Sequence, residues 1–153
     1  MKIAFYPINK SADVAAGANL LETMLATELN VRSVCKGRGI CATCQVKVRS
    51  NPAALTPRTP QEVKTLGLIV TADAATRLAC QCRIVGDGVV IDLPQGLYLE
   101  AIEDLLALIG ETAVADYLHP LNGSVLIPRD KTITRTQLQT FKNVAAEVAK
   151  ATA

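Results

Sequence analysis

At 153 residues, half of them apolar, the chain can bury a real core, either as one domain or as a small domain with an appendage. A net charge of +2 leads to no expectation of a nucleic-acid partner, and no run of eighteen apolar residues exists to span a membrane. The cysteine count is five, an odd number that fits four metal ligands and a spare thiol better than a disulfide framework. With Met1-Lys2-Ile3 entering strand-like sequence directly, without a charged n-region, this predicts a non-exported protein of the reducing cytoplasm.

Lys2 to Ile8 has the apolar content of a strand, with Pro7 near its end or on an edge. A second strand is expected near Ser11 to Ala15, although the alternation there is poor. Asn19 then caps a helix with Glu22 three residues on, Leu20, Leu21, Met24, Leu25 and Leu29 form its apolar stripe, and Asn30 suits a left-handed end. This helix is expected to cross a sheet and bury the stripe.

The stretch Cys35-Lys-Gly-Arg-Gly-Ile-Cys41-Ala-Thr-Cys44 carries three thiols in ten residues, and Arg77-Leu-Ala-Cys80-Gln81 supplies a fourth. Four thiolates are what a 2Fe-2S cluster needs, two on each iron. Gly37 and Gly39 allow the chain to turn tightly and aim consecutive N–H groups inward, where a Cβ would obstruct. Cys44 to Arg49 alternates as a half-buried strand, with Val46 and Val48 on one face and Lys47 and Arg49 on the other. Thr59-Pro60-Gln61-Glu62 reads as N-cap, N1 proline and capping-box glutamate of a short helix that Gly67 stops. Leu78 to Ile84 and Gly88 to Leu93 are expected strands around a turn at Gly86-Asp87-Gly88. The fold class so far is α+β.

The spacing Cys35-x5-Cys41-x2-Cys44, followed after thirty-five intervening residues by Cys80 inside Arg-Leu-Ala-Cys-Gln, resembles the 2Fe-2S ferredoxins of β-grasp fold. The five-residue first gap is similar to the adrenodoxin-type branch, and to the ferredoxin domain at the start of corrinoid-activating proteins; plant-type ferredoxins have four. The resemblance runs over residues 2 to 94, where Gly17-Ala-Asn-Leu-Leu-Glu, Leu55-Thr-Pro and Val89-Val-Ile-Asp-Leu-Pro also fall in place. It implies a β-grasp domain over 1–95 with one 2Fe-2S cluster on Cys35, Cys41, Cys44 and Cys80. It further implies an electron carrier, not an enzyme, working between a reductase and an acceptor enzyme. Ala42 stands where many relatives have glycine, while Thr43 is usual.

Residues 96 to 153 lie outside the resemblance and are expected to form a mostly helical extension. Leu97 to Ile109 reads as an amphipathic helix stopped by Gly110, and Glu111 to Leu118 as a second short one before His119-Pro120. Asn122-Gly123 turns into Val125 to Ile127, and Thr134 with Gln137 caps a last helix striped by Leu138, Phe141, Val144 and Val148. These faces are expected to pack on one another, on the preceding domain, or on a partner.

Charge divides along the same line. Residues 1–95 hold eleven Lys/Arg against seven Asp/Glu, a net +4, and 96–153 hold five against seven, a net −2. Arg32, Lys36, Arg38, Lys47 and Arg49 lie in or near the cysteine loop. Many ferredoxins of this type present an acidic face, so a basic rim here would favour an acidic redox partner and raise the reduction potential. The plainer reading is a solvated surface.

Duller readings stand beside the sharp ones. Cys41, Cys44, Cys80 and Cys82 could hold structural zinc, leaving Cys35 spare. If Cys80 and Cys82 share a strand, both thiols face one side, so Cys82 could approach a cluster; otherwise it is a small buried hydrophobe. His119 is the sole histidine, which excludes a Rieske site. The second functional reading is a fixed redox subunit or sensor module attached to a larger assembly through the extension. No base, nucleophile or substrate pocket is apparent in the sequence.

Overall fold

The computed structural model describes residues 1–29, 31, 33–93, 97–98 and 106–152, with the backbone alone at 97, 98, 138 and 152. Strand β1 (Lys2–Tyr6) buries Ile3 and Phe5 on one face and ends at Pro7, which has no N–H to donate to a ladder. β2 (Lys10–Asp13) pairs antiparallel to it as an edge strand, with Ile3 opposite Ala12. After β3 (Ala18–Asn19) the chain enters helix α1 (Leu20–Ala26). β4 (Gln45–Ser50), helix α2 (Pro60–Leu66), β5 (Thr76–Leu78), β6 (Arg83–Ile84) and β7 (Val89–Asp92) follow.

Five of these strands form one mixed sheet in the order β2-β1-β7-β4-β5, with β1 and β7 parallel and the other pairs antiparallel. The remaining two, β3 and β6, pair antiparallel with each other. Leu20, Leu21 and Met24 of α1 join Ile3, Phe5, Val46, Leu78, Ile84 and Ile91 in one buried core. Each such side chain removed from water contributes about 1.5–3 kcal/mol, so this face fixes the helix on the sheet. The architecture is the α+β, β-grasp arrangement that the sequence led us to expect.

Local chemistry accounts for the helix ends, with two departures from expectation. Asn19 Oδ1 accepts from Glu22 N–H at 3.2 Å, as a cap should. The left-handed residue at the other end is Glu28 (φ 61°), and Leu29 N–H reaches back to the Met24 carbonyl while Glu28 N–H bonds Leu25, a Schellman closure. That closure comes two residues before the expected Asn30, which lies outside the described residues, and Leu25 is half exposed and off the apolar stripe. At α2, Thr59 Oγ1 accepts from Glu62 N–H at 3.1 Å, but the Glu62 side chain does not return the bond as a capping box would; it turns into the core.

Leu78 to Ile84 is not one strand. β5 stops at Leu78, Ala79–Gln81 forms a 3-10 turn, and only Arg83–Ile84 is extended again, with Cys82 as the link between them.

The extension is built differently from the expectation. Leu97–Tyr98 is strand β8, not the start of a helix; residues 99–105, where that helix was expected to continue, lie outside those described, and Gly110 turns at φ 90°. Glu111 to Leu118 is not helical either: Ala113 is buried, and Tyr117–Leu118 form β9, which pairs in parallel with β8 and antiparallel with β10 (Val125–Ile127). Two-residue pairing sets this segment, and that is too short to show as a period. The last helix, α3 (Gln137–Thr152), is present, and Gln137 Oε1 accepts from Thr134 N–H at 2.8 Å as the capping reading requires. Phe141 packs with Ala113, Tyr117, Ile127 and Ile133, so the extension has a small core of its own.

Candidate metal centre

The chain leaves α1, runs through Ser33 and Val34, and turns back on itself between Cys35 and Cys44. Lys36 (φ 55°), Gly37 (φ 82°) and Gly39 (φ 74°) are all left-handed. At Gly39 the demand for glycine is double, because a Cβ there would also stand 2.9 Å from the Gln81 side chain. Ser33 Oγ accepts from Gly37 N–H at 2.9 Å, and Thr43 Oγ1 accepts from Val34 N–H at 3.1 Å, so both ends of the loop are tied. Cys35, Cys41 and Cys44 are buried, and Cys80 is partly so.

The four thiols fall into two pairs. Cys41 Sγ lies 3.3 Å from Cys35 Sγ and 3.1 Å from Thr43 Oγ1. The hydrogen bond from Cys41 holds the Cys35 thiol down at about 4 against the cost of burial, and the N–H groups of Ile40, Arg38 and Gly39 facing its sulfur act in the same direction. Cys41 is pushed up correspondingly, by that shared proton and by burial. The second pair repeats this: a hydrogen bond with Cys80 and burial push Cys44 up, and the same bond holds Cys80 down, aided by Gln81. Each pair thus has one sulfur whose thiolate form is favoured and a second whose proton a metal would displace. Among the described residues no three His, Cys, Asp or Glu side chains converge on one point suited to a single ion. Two pairs, and not one tetrahedron, is the arrangement that the donors present.

Helix α2 ties the two thiol-bearing segments together. Gln61 Nε2 donates to the Gly39 carbonyl at 3.3 Å, and Thr65 Oγ1 donates to the same carbonyl. Thr59 Oγ1 donates to Gln81 Oε1 at 3.0 Å, while Gln81 Nε2 donates to the Gly37 carbonyl at 3.3 Å. Glu62, fully buried, takes Arg77 Nε at 2.7 Å, Arg77 Nη2 at 3.1 Å and Leu78 N–H at 2.9 Å. One carboxylate therefore satisfies a buried guanidinium and fixes the backbone two residues before Cys80.

The model of the 2Fe-2S iron-sulfur cluster binding domain matches residues 5–85, more than half of the chain. This chain belongs to that family. A 2Fe-2S ferredoxin of Haemophilus influenzae is 31% identical to it over 91 residues, which is 60% of this chain and 80% of that relative. Among solved structures, an ISC-like 2Fe-2S ferredoxin from Pseudomonas putida superposes with a TM-score of 0.57 at 25% identity, covering 61% of this chain and 91% of that one. Reduced putidaredoxin from the same organism, a Cys-to-Ser variant, gives 0.51 at 27%, covering 61% and 96%. Putidaredoxin in its covalent complex with putidaredoxin reductase gives 0.51 at 26%, covering 61% and 98%.

The family's cofactor is one 2Fe-2S cluster, and the donor set of this ferredoxin domain fits it: two thiol pairs, a left-handed loop and N–H groups facing the sulfurs. Zinc on Cys41, Cys44, Cys80 and Cys82 is excluded by the family and by geometry. Cys82 is fully buried in the sheet core, and because Cys80 sits in a 3-10 turn, strand alternation does not bring the two thiols to one side. Burial pushes the Cys82 thiol up to about 11. Of the expected basic rim, Lys47 pairs with Asp73 at 2.8 Å, and Arg49 pairs with Asp92 at 2.9 Å and stacks on Tyr6 at 3.7 Å. Lys36 and Arg38 are exposed on the loop itself, Arg38 donating to the Ala151 carbonyl at 3.5 Å, and Arg32 lies outside the described residues. Sequence reasoning missed Glu62 as a brace for Cys80 and the extension's reach to the loop. The uninterrupted Thr59-to-Leu66 helix signal concealed the first, and nothing local announces the second.

Proposed function

We propose that this protein carries single electrons between a reductase and an acceptor enzyme, with Cys35 and Cys41 ligating one iron of its 2Fe-2S cluster and Cys44 and Cys80 the other. Residues 1–95 are the carrier domain and 96–153 an appended unit. The observation that carries the reading is the pairing of four thiols beneath one loop whose exposed side chains are Lys36 and Arg38. A ligated cluster supplies a one-electron couple; the chain holds it, shields it from water and aims N–H groups at the sulfurs, which eases the added negative charge. The match to putidaredoxin in complex with its reductase supports a reductase as donor. Lys36 and Arg38 support an acidic docking face on the partner.

The test is an absorption and EPR spectrum of anaerobically purified protein before and after dithionite. Expected are sulfide-to-iron bands near roughly 420 nm that bleach on reduction, with a spin-half signal appearing. A colourless protein without iron or sulfide would overturn the reading.

A second reading, a fixed redox subunit, is favoured by the extension's contacts with the loop, where Ala42 N–H donates to the Pro120 carbonyl at 2.8 Å and Arg38 Nη2 to the Ala151 carbonyl at 3.5 Å. Recovery from native extract in a stable larger complex, and not as a free chain, would decide for it.

A further inference from the structure

The loop directs its N–H groups selectively. Those of Arg38, Gly39 and Ile40 face Cys35, Gly39 N–H also faces Cys80, and Thr43 N–H faces Cys41. Ala42, between the second and third cysteines, does something else. Its N–H donates at 2.8 Å to the carbonyl of Pro120, seventy-eight residues on and outside the family match. A completely buried residue in the middle of the metal loop is thus hydrogen-bonded to the extension.

The turn that presents Pro120 is built to stay there. His119 is nearly buried; its N–H donates to the Ser124 carbonyl at 2.8 Å, and its carbonyl accepts from Gly123 N–H at 2.9 Å. Leu121 N–H donates to His119 Nδ1 at 3.1 Å, so the ring proton is on Nε2, which donates to Glu147 Oε2 of α3 at 2.9 Å. A second tie fixes the turn to the carrier domain, from Val70 N–H to the Asn122 carbonyl at 3.0 Å. Gly123 has φ 72°, which strains any other residue, and a Cβ there would stand 3.1 Å from Gln45 Nε2, so the turn sits close against the start of β4.

We propose that the extension sets the reduction potential of the cluster: the Pro120 carbonyl takes the Ala42 N–H that would otherwise be free to bond a cluster sulfur, and so holds the potential low. The reasoning rests on the assignment of Cys35, Cys41, Cys44 and Cys80 as ligands. N–H donors to the sulfurs favour the reduced state, which carries one more negative charge, and so does access of water. A carbonyl that withdraws a donor and a turn that covers the loop therefore act with the same sign. Releasing the turn should raise the potential, and the extension becomes a tuning element as well as an appendage.

The experiment is a spectroelectrochemical titration of the cluster-loaded full-length chain and three variants, with hydrogen exchange of the 41–45 segment measured alongside. Gly123→Ala strains the left-handed turn and presses it on the Gln45 side chain, and Glu147→Ala, at an exposed residue, frees the His119 ring. Lys142→Ala, exposed on α3, is the control. Gly123→Ala is expected to accelerate exchange at 41–45 and to raise the ratio of reduced to oxidised protein at fixed potential about tenfold, about 59 mV for a one-electron couple. Glu147→Ala should move both in the same direction by less, and Lys142→Ala neither. If Gly123→Ala does not fold, Glu147→Ala alone carries the test. Faster exchange with an unmoved potential would overturn the proposal, as would unchanged exchange in both variants, since the turn would then not be what holds Ala42. A parent chain that shows no cluster bands would instead refute the ligand assignment, and the two failures are told apart before any titration begins.

Discussion

Cys80 and Cys82 are two residues apart, yet the 3-10 turn at Ala79–Gln81 sends one to Cys44 and the other into the core beside Ile84 and Leu78. Cys82 is fully buried in the sheet core, and burial pushes its thiol up; its place among apolar side chains, apart from the two thiol pairs, keeps it from the cluster. Cys35, Cys41, Cys44 and Cys80 instead meet as two pairs at the loop. Individual changes of Cys35, Cys41, Cys44 or Cys80 to Ser should therefore abolish normal cluster assembly, seen as loss of visible absorbance and of bound iron. Cys82→Ser should keep the full spectrum. The hydroxyl would sit unpartnered among apolar side chains, so a loss of stability of about 1–3 kcal/mol in chemical denaturation is expected instead. A coloured Cys80 variant beside a colourless Cys82 variant would show that the fourth ligand had been misassigned.

At the scale of elements, α2 does more than its length suggests. It has seven residues, and from them Gln61, Glu62 and Thr65 reach both Gly39 and Arg77-Leu78, the two backbones that must keep their spacing for a cluster to bridge them. Glu62→Ala would leave a guanidinium that is 9% exposed without its partner, a change that costs about 3–5 kcal/mol for buried pairs. The expected outcome is a lower unfolding midpoint together with faster loss of visible absorbance on warming; Arg77→Ala should behave similarly, and the double variant should lose less than the sum of the two. Additive losses would mean that the pair is not the brace. This interaction was illegible in the sequence because fifteen residues separate Glu62 from Arg77 and a capping box explained Glu62 locally. What was legible was local in origin: the Asn19 and Thr59 caps need a partner three residues on, and the β4 alternation needs only neighbours. The cysteine spacing was equally readable, since ligands on one loop are fixed by chain reach. The strands of the extension were not, because β8 and β9 have two residues each and draw their stability from pairing across twenty residues.

For the whole molecule, charge and topology act at the same place. The carrier half holds a net +4; Lys47 and Arg49 are each paired with a carboxylate, and Lys36 and Arg38 are the exposed basic side chains of the thiol loop itself. The end of α3 approaches this spot through the Ala151 carbonyl. An electron leaving through the loop thus passes Lys36 and Arg38, and small charged oxidants can report the sign of the charge there. Charge reversal of both residues, Lys36→Glu with Arg38→Glu, removes the rim without touching a thiol. At low ionic strength the variant's reduced form should be oxidised by ferricyanide, an anion, about tenfold more slowly than the parent, and by hexaamminecobalt(III), a cation, more quickly. Both differences should shrink towards nothing near 1 M salt, where the screening length is about 3 Å. Equal rates with both oxidants in parent and variant would mean that electrons do not leave under Lys36 and Arg38, and the docking face would have to be sought elsewhere on the domain.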